Sequence, residues 1–196
     1  MRQTLLALGA TIALSACFGG PKPPPTLMRL SADQARPAAA ATRTAAAGET
    51  LTVVVPTVPR ELQTLRVPVH ESDIAVAYLK KAQWVEMPAE QFARLVSETI
   101  SATTGRVVLD PRQFTLDPGI RLTGSLQRFG LDATRMEAVV VYDAALARGD
   151  GGVAARRFEA RVPVGAADAA SVSPALNQAA NRVAAEVAAW VGGAGA

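Results

Sequence analysis

The sequence predicts an α+β domain, a mainly antiparallel sheet with a strand meander and two amphipathic helices packed on one face. Three observations carry this. Residues 88–101 and 173–190 repeat apolar side chains at helical spacing. Three segments between Ile120 and Val162 alternate apolar and polar residues at strand spacing. Clusters such as Asp117-Pro118-Gly119 and Gly149-Asp150-Gly151-Gly152 separate them as turns. A length of 196 residues, 49% of them hydrophobic, suits one such domain with tails.

The first elements lie before the domain. Met1 to Thr4 are polar and carry Arg2, and Leu5 to Leu14 form an apolar run of ten residues broken only by Gly9 and Thr11. This is the layout of a secretory signal peptide over 1–16, too short to span a bilayer. It ends in Leu14-Ser15-Ala16-Cys17, which resembles the lipobox of bacterial lipoproteins. Small residues at 15 and 16 let a protease reach the backbone. The thiol of Cys17 is the nucleophile that takes up diacylglycerol, and cleavage between Ala16 and Cys17 frees an amine for a further acyl chain. Cys17 is the only cysteine, so the expected covalent lipid has one attachment site. Phe18 stands where an Asp would be the usual inner-membrane retention signal, which by analogy with Gram-negative lipoproteins favours the outer membrane.

Residues 17–50 read as a lipid-anchored, Pro/Ala-rich tether. Gly19 to Pro25 holds four prolines and is expected to be stiff and extended. Thr26 to Leu30 is a short apolar patch suited to an edge strand. Ala35 to Ala47 has eight alanines among thirteen residues but no large apolar face to dock, and reads as a linker or loop.

The folded body is expected over 51–191, with 192–196 as a flexible tail. Leu51 to Val55 is a strand stopped by Pro56. Arg66 to His70 and Asp73 to Leu79 are two short β-like runs placed to form a hairpin. From Pro88 to Ser101, Phe92, Leu95, Val96, Thr99 and Ile100 share one helical face, and Glu90, Arg94 and Glu98 share another at i, i+4 spacing. Pro88 suits the first helical position, and Gly105 ends the element. Arg106 to Asp110 is a brief strand. In the next strand Ile120, Leu122 and Leu126 are even-numbered but Phe129 and Leu131 are odd, so a β-bulge is expected near Gln127-Arg128. Met136 to Ala147 and the strand holding Phe158, Ala160 and Val162 complete the meander. A final helix is expected to start with Ser173 as cap and Pro174 as first residue. Its stripe of Leu176, Ala180, Val183, Val187 and Trp190 either packs on the domain's own sheet or docks a partner helix.

Composition excludes several functions. Without Arg2, 19 basic residues face 17 acidic ones, too small a bias to argue for nucleic acid, and at 5% aromatics there is no stacking platform. One His and one Cys exclude a zinc cluster or a disulfide framework. His70 is the only histidine and reads as a polar turn or hairpin residue, no Gly-x-Ser-x-Gly elbow exists, and Gly124-Ser125 lies within an amphipathic strand. There is no Walker-type loop. Glu86 and Glu90 suit the dipole at a helix start, Asp110 and Asp117 adjoin prolines as turn residues, and Arg156-Arg157 reads as a solvated pair. No metal site, no catalytic residue and no enzyme activity are expected.

The order of features from Cys17 onward resembles the ABC-type transport auxiliary lipoprotein family, the PqiC-like proteins of Gram-negative envelopes. It is carried by the lipobox, by Thr26 to Leu30, by Val53-Val54-Val55-Pro56 and Pro59-x-x-Leu62, and by Ala77-Tyr78. Trp84-Val85-Glu86-Met87-Pro88, leading into Phe92, Leu95 and Ile100, is the most family-like stretch. The insert at 35–47 and Lys80-Lys81 depart from the pattern. The resemblance implies a non-enzymatic, outer-membrane, lipid-anchored subunit of an intermembrane lipid transport system, facing the periplasm. Its implied partners are an MCE-type substrate-binding protein and an ABC permease and ATPase. Tyr78, Trp84 and Glu86 are the candidate interface residues, though Trp84 is better suited to packing between hairpin and helix. Sheet edges offer docking by strand addition, to a partner or to a second copy. The alternative is a structural or assembly lipoprotein of another envelope machine, for secretion or lipopolysaccharide insertion. A periplasmic hydrolase would need His70 or an acidic pair, and a soluble lipid carrier would need an apolar cavity.

Overall fold

The computed structural model describes residues 26–33, 42–46, 48–111, 119–149 and 151–193. The expectations for the signal peptide, for Leu14 to Cys17 and for Gly19 to Pro25 lie outside the described residues, as does Asp117.

The organising strand is β7 (Ile120–Asp132). It pairs antiparallel with β8 (Glu137–Ala147), which pairs antiparallel with β9 (Val153–Pro163), giving the expected meander. The other edge of β7 is shared. At one end it takes β2 (Leu51–Val53), parallel, with β6 (Val108–Leu109) outside it. At the other end it takes β3 (Pro68–His70), parallel, with β4 (Val76–Tyr78) closing the predicted hairpin. Between them Thr57 keeps the ladder going, donating its N–H to the Gly124 carbonyl at 3.0 Å and accepting from Leu126 N–H at 2.9 Å. The sheet is therefore mainly antiparallel, as expected, with β2, β3 and β6 added to it by parallel pairing. The reason is topological: β2 and β3 reach β7 only after a long connection that contains a helix, and such crossovers deliver parallel strands.

A second, two-stranded parallel sheet joins β1 (Thr26–Met28) to β5 (Ala82–Trp84). The short N-terminal strand was expected from its sequence; its partner β5 was not. Residues 42–46 of the Ala-rich stretch take up no helix or strand.

The bulge falls where the phase slip predicts. Register runs Leu126↔Tyr142 and then Arg128↔Val141, leaving Gln127 as the extra residue. Leu122, Leu126, Phe129 and Leu131 consequently all face one side and are at most 1% exposed. On that side lie both helices. α1 (Pro88–Thr104) has Pro88 as its first residue and ends at Gly105, whose φ of 70° is the left-handed cap that glycine accommodates. α2 (Ala169–Gly193) begins five residues before the expected first residue, so Pro174 lies inside it. The cap is Asp168, whose carboxylate accepts the Ser171 N–H at 2.9 Å. Asp caps as well as Ser does, and Pro174 sits near enough to the N-terminus that its missing N–H leaves only an early carbonyl unpaired.

Two Trp, two Tyr and five Phe are all the aromatics available, and four of them form one continuous run through the core. Trp84 stacks on Phe129 (ring centroids 5.2 Å apart), Phe129 meets Phe92 at 6.4 Å, and Phe92 meets Tyr142 edge-on at 5.1 Å. The run thus ties β5, β7, α1 and β8 together. Trp190 of α2 covers Phe158 of β9 at 5.6 Å, so the α2 stripe packs on the domain's own sheet. Gly124 is needed where Tyr142 crosses β7: a Cβ there would meet the Asp143 carbonyl oxygen and, at 2.6 Å, the Tyr142 ring. Phe129 touches three of these elements, so Phe129→Ala is expected to cost about 3–5 kcal/mol of stability, measured as a fall in the urea midpoint at unchanged slope.

Candidate interaction surface

The stretch from Tyr78 to Arg94 joins the hairpin to α1 and holds all three candidate interface residues. Tyr78, on β4, is half-buried. Its ring lies under the Arg66 guanidinium at 4.2 Å, and its hydroxyl reaches the Glu61 carbonyl at 3.4 Å. Trp84 is 1% exposed, so its ring belongs to the core. Its backbone N–H donates to the Leu65 carbonyl at 2.7 Å, while its indole N–H has no partner among the described residues. Glu86 lies on the lead into α1, and its carboxylate accepts two hydrogen bonds from Arg94, at 3.0 and 2.5 Å. The Arg94 hydrogen bond, chiefly, holds the Glu86 carboxyl below its ordinary pKa. Arg94, on the helical face it shares with Glu90 and Glu98, thus clamps the segment entering the helix. Of the three candidate interface residues, Tyr78 is thus a capped ring, Trp84 a core ring and Glu86 one half of an ion pair.

Along the Glu86 side runs an open groove of about 710 Å³ between α1 and the β2–β6 edge. Val53, Val55, Val108 and Leu109 line it together with Glu90, Arg94 and Glu98. A second open hollow of about 620 Å³ lies between the C-terminal ends of the two helices, beside Gly105, Arg106 and Gly192.

Three polar residues that sequence reasoning passed over fix the start of the domain. Gln91 of α1, 1% exposed, accepts the Leu30 N–H at 2.9 Å and donates to the Glu86 carbonyl at 2.9 Å. Asn181 of α2 accepts the Asp33 N–H at 2.9 Å and donates to the Ser31 carbonyl at 2.8 Å. Asn177 accepts the Ser31 N–H at 2.9 Å. Residues 26–33 are thereby held by β5 on one side and by both helices on the other. The available signal was an amide-bearing side chain among apolar neighbours on each helix: Gln91 beside Phe92, Asn181 beside Ala180.

The ABC-type transport auxiliary lipoprotein component family matches residues 30–188. The chain belongs to that family. No curated protein is significantly similar to it. Among solved structures, a crystal structure of a Xanthomonas campestris protein assigned to the DUF330 family superposes with a TM-score of 0.64 at 22% identity, covering 79% of this chain and 91% of that one. An uncharacterized protein of known structure superposes with a TM-score of 0.63 at 17% identity, covering 76% of this chain and 96% of that one. Both likenesses concern the fold. Membership makes this a lipoprotein family of the bacterial envelope associated with ABC transport, consistent with the α+β body just described.

In this auxiliary lipoprotein, His70 ends β3 and its Nε2 stands 3.2 Å from Glu61 Oε1, out of line for a hydrogen bond. Arg128 and Asp132 complete its surroundings. Asp132 is itself spoken for: it accepts from the Thr134 hydroxyl at 2.6 Å and from the N–H groups of Thr134 and Arg135, and lies 3.7 Å from both Arg128 and Arg161. These bonds hold its carboxyl below the ordinary range, the Thr134 hydroxyl contributing most. Among the described residues no group of three or more His, Cys, Asp or Glu is placed to hold a metal. Nor is any described helix long and apolar enough to cross a membrane.

Two predictions follow from these contacts. Asn181→Ala removes three bonds to residues 26–33 and to α2, at a cost of about 1–3 kcal/mol. Limited proteolysis is expected to cut within 26–33 faster in the variant, while the circular dichroism of the body is unchanged. Burial, chiefly, and then Arg128 push the His70 pKa below 6.5, with Glu61 and Asp132 pulling the other way. The unfolded chain then protonates first as pH falls, so His70's contribution is whole above about pH 6.5 and is lost as pH drops below it. The urea midpoint should fall between pH 7.5 and 5.5, and His70→Gln should flatten that part of the profile. An equal slope in the variant would assign the loss to other groups.

Proposed function

We propose that this protein is a non-enzymatic, outer-membrane subunit of an ABC/MCE-type intermembrane lipid transport system, acylated on Cys17 and facing the periplasm. Its task is to hold the far end of a periplasmic conduit at the membrane. The partners are an MCE-type substrate-binding protein and, through it, an ABC permease and ATPase of the inner membrane. The observation that carries this reading is the family match across residues 30–188, in a chain whose residues 14–17 read as a lipobox. The mechanism is positional. Two or three acyl chains bind a bilayer far more firmly than one, and the tether converts docking of the conduit into a local event with a raised effective concentration. The bonds from Gln91, Asn177 and Asn181 support it, because they set where on the domain the pull of the anchor is applied.

Crosslinked pull-down of the lipidated protein from membranes, wild type beside Cys17→Ser, tests it. An MCE protein and ABC subunits are expected with the wild type, with at least tenfold less recovery from Cys17→Ser. Recovery of secretion or lipopolysaccharide-insertion machinery in their place would reassign the protein to that machine.

A further inference from the structure

The strand that receives the tether is edged by side chains of a particular kind. β1 and β5 run parallel, with Thr26 opposite Ala82, Leu27 opposite Gln83 and Met28 opposite Trp84. Met28, Ala82 and Trp84 point into the core. Alternation then turns Leu27, Gln83 and Val85 outward, and Leu27 and Val85 are 59% and 38% exposed. Leu65, whose carbonyl accepts the Trp84 N–H, is 37% exposed beside them. Next to Thr26, where the chain arrives, is the turn Lys80-Lys81 that precedes β5. Both lysines are exposed, and neither has a carboxylate within ion-pair distance among the described residues. Arg29, two residues on from Leu27, and Arg66, next to Leu65 and lying over the Tyr78 ring, are also exposed. The acids nearby are engaged or remote. Glu86 is bound by Arg94 and Glu61 lies against His70, while Glu71 and Asp73 sit at the opposite end of the β3–β4 hairpin.

From Cys17 to Thr26 are nine residue steps, which reach at most about 30 Å even when fully extended. A domain of this size is about 40 Å across. An anchor at Cys17 therefore leaves the domain no room to turn its β1–β5 side away from the bilayer. The side held nearest the lipid is the one that presents three exposed aliphatic side chains ringed by four cations, the composition of an interfacial membrane contact.

We propose that the outward face of β1–β5, with Leu27, Leu65 and Val85 ringed by Arg29, Arg66, Lys80 and Lys81, rests on the anionic phospholipid headgroups of the anchoring bilayer. The proposal rests on the acylation of Cys17. Resting in this way fixes the orientation of the domain: the far end of the meander, at Val153, is held away from the membrane, where a conduit would arrive. Lys80-Lys81 gains a role here as the main electrostatic contact.

The test uses the full lipidated chain in vesicles. Leu27→Cys, Val85→Cys and, as the remote control, Val153→Cys each provide the only free thiol when Cys17 is acylated, and each is labelled with an environment-sensitive fluorophore. Val153 is 70% exposed, and it lies about 25 Å of strand from Phe129, on which Trp84 packs. In vesicles of phosphatidylcholine with 30% phosphatidylglycerol, nitroxide-bearing lipid is expected to quench the labels at 27 and 85 at least threefold more than that at 153. Pure phosphatidylcholine, or Lys80→Gln with Lys81→Gln, should bring them down toward the control. Equal quenching at all three sites, or a contrast indifferent to both anionic lipid and the lysines, would overturn the membrane contact. Intact mass and vesicle flotation of wild type against Cys17→Ser report the anchor separately. If the protein is not acylated, anchor and proposal fail together; if it floats without the contrast, the contact alone fails.

Discussion

The fold turns on a single extra residue in β7. A strand of thirteen residues that kept strict alternation would present Leu122 and Leu126 to one side and Phe129 and Leu131 to the other. Gln127, the bulged residue, resets the phase so that all four face the helices. Everything else pairs with, or packs on, what that shift creates. The Leu126 end receives Thr57 and β2, the Phe129 end receives β3, and the aromatic run from Trp84 to Tyr142 passes through Phe129. Without the shift, Phe129 would sit on the charged outer face, among Arg157 with Asp143 and Arg161 with Glu137 and Glu159, where those ion pairs form a solvated ladder.

The two faces of the sheet have different duties. The outer face is held by surface ion pairs, each worth little. The inner face is held by burial: a helix with Ala175, Ala179, Ala180, Ala184 and Ala188 at most 7% exposed lets α2 lie close to both α1 and the sheet. Into this apolar layer the chain inserts a few amides, Gln91 and Asn181 above all, at a desolvation cost that only complete hydrogen bonding offsets. They spend that bonding on residues 30–33, outside the helices. A segment with so little apolar area of its own is thus positioned by the core.

What could be read from the sequence was whatever is periodic and local. The helix from Pro88, the left-handed cap at Gly105, the three meander strands and the bulge at Gln127 each announce themselves within about ten residues, because burial writes a period into the chain. What could not be read depends on partners far off in sequence. β5 is three residues long and has a strand's pairing only because β1 lies beside it; parallel addition of β2 and β3 to β7 leaves no local mark. α2's early start was missed because Ser173-Pro174 imitates a cap that Asp168 already supplies. At the candidate surface, Trp84 was legible as a ring that packs between hairpin and helix, because a large side chain in a chain so poor in aromatics is most stabilising in the core. Gln91 and Asn181 went unnoticed, as a buried amide among alanines carries no motif.

The anchor end of the domain is the one place where these constraints meet. Trp84 must be buried to reach Phe129, so its strand neighbours Gln83 and Val85 must point outward. β1 must pair with β5 to cover Met28 beside Trp84, so Leu27 must point outward too. The core therefore dictates that Leu27, Gln83 and Val85 face outward at the point where the chain arrives from Cys17, whatever that surface later touches. The cations are different. No packing requirement places Lys80 and Lys81 in the turn before β5, and Lys81 even sits at a φ of 57°, in the left-handed region that glycine or asparagine would occupy more readily. Both exposed, with no carboxylate at ion-pair distance among the described residues and Lys81 in a disfavoured conformation, these lysines contribute nothing to the fold that a smaller turn residue would not supply, and their charge is intelligible through what lies outside the domain.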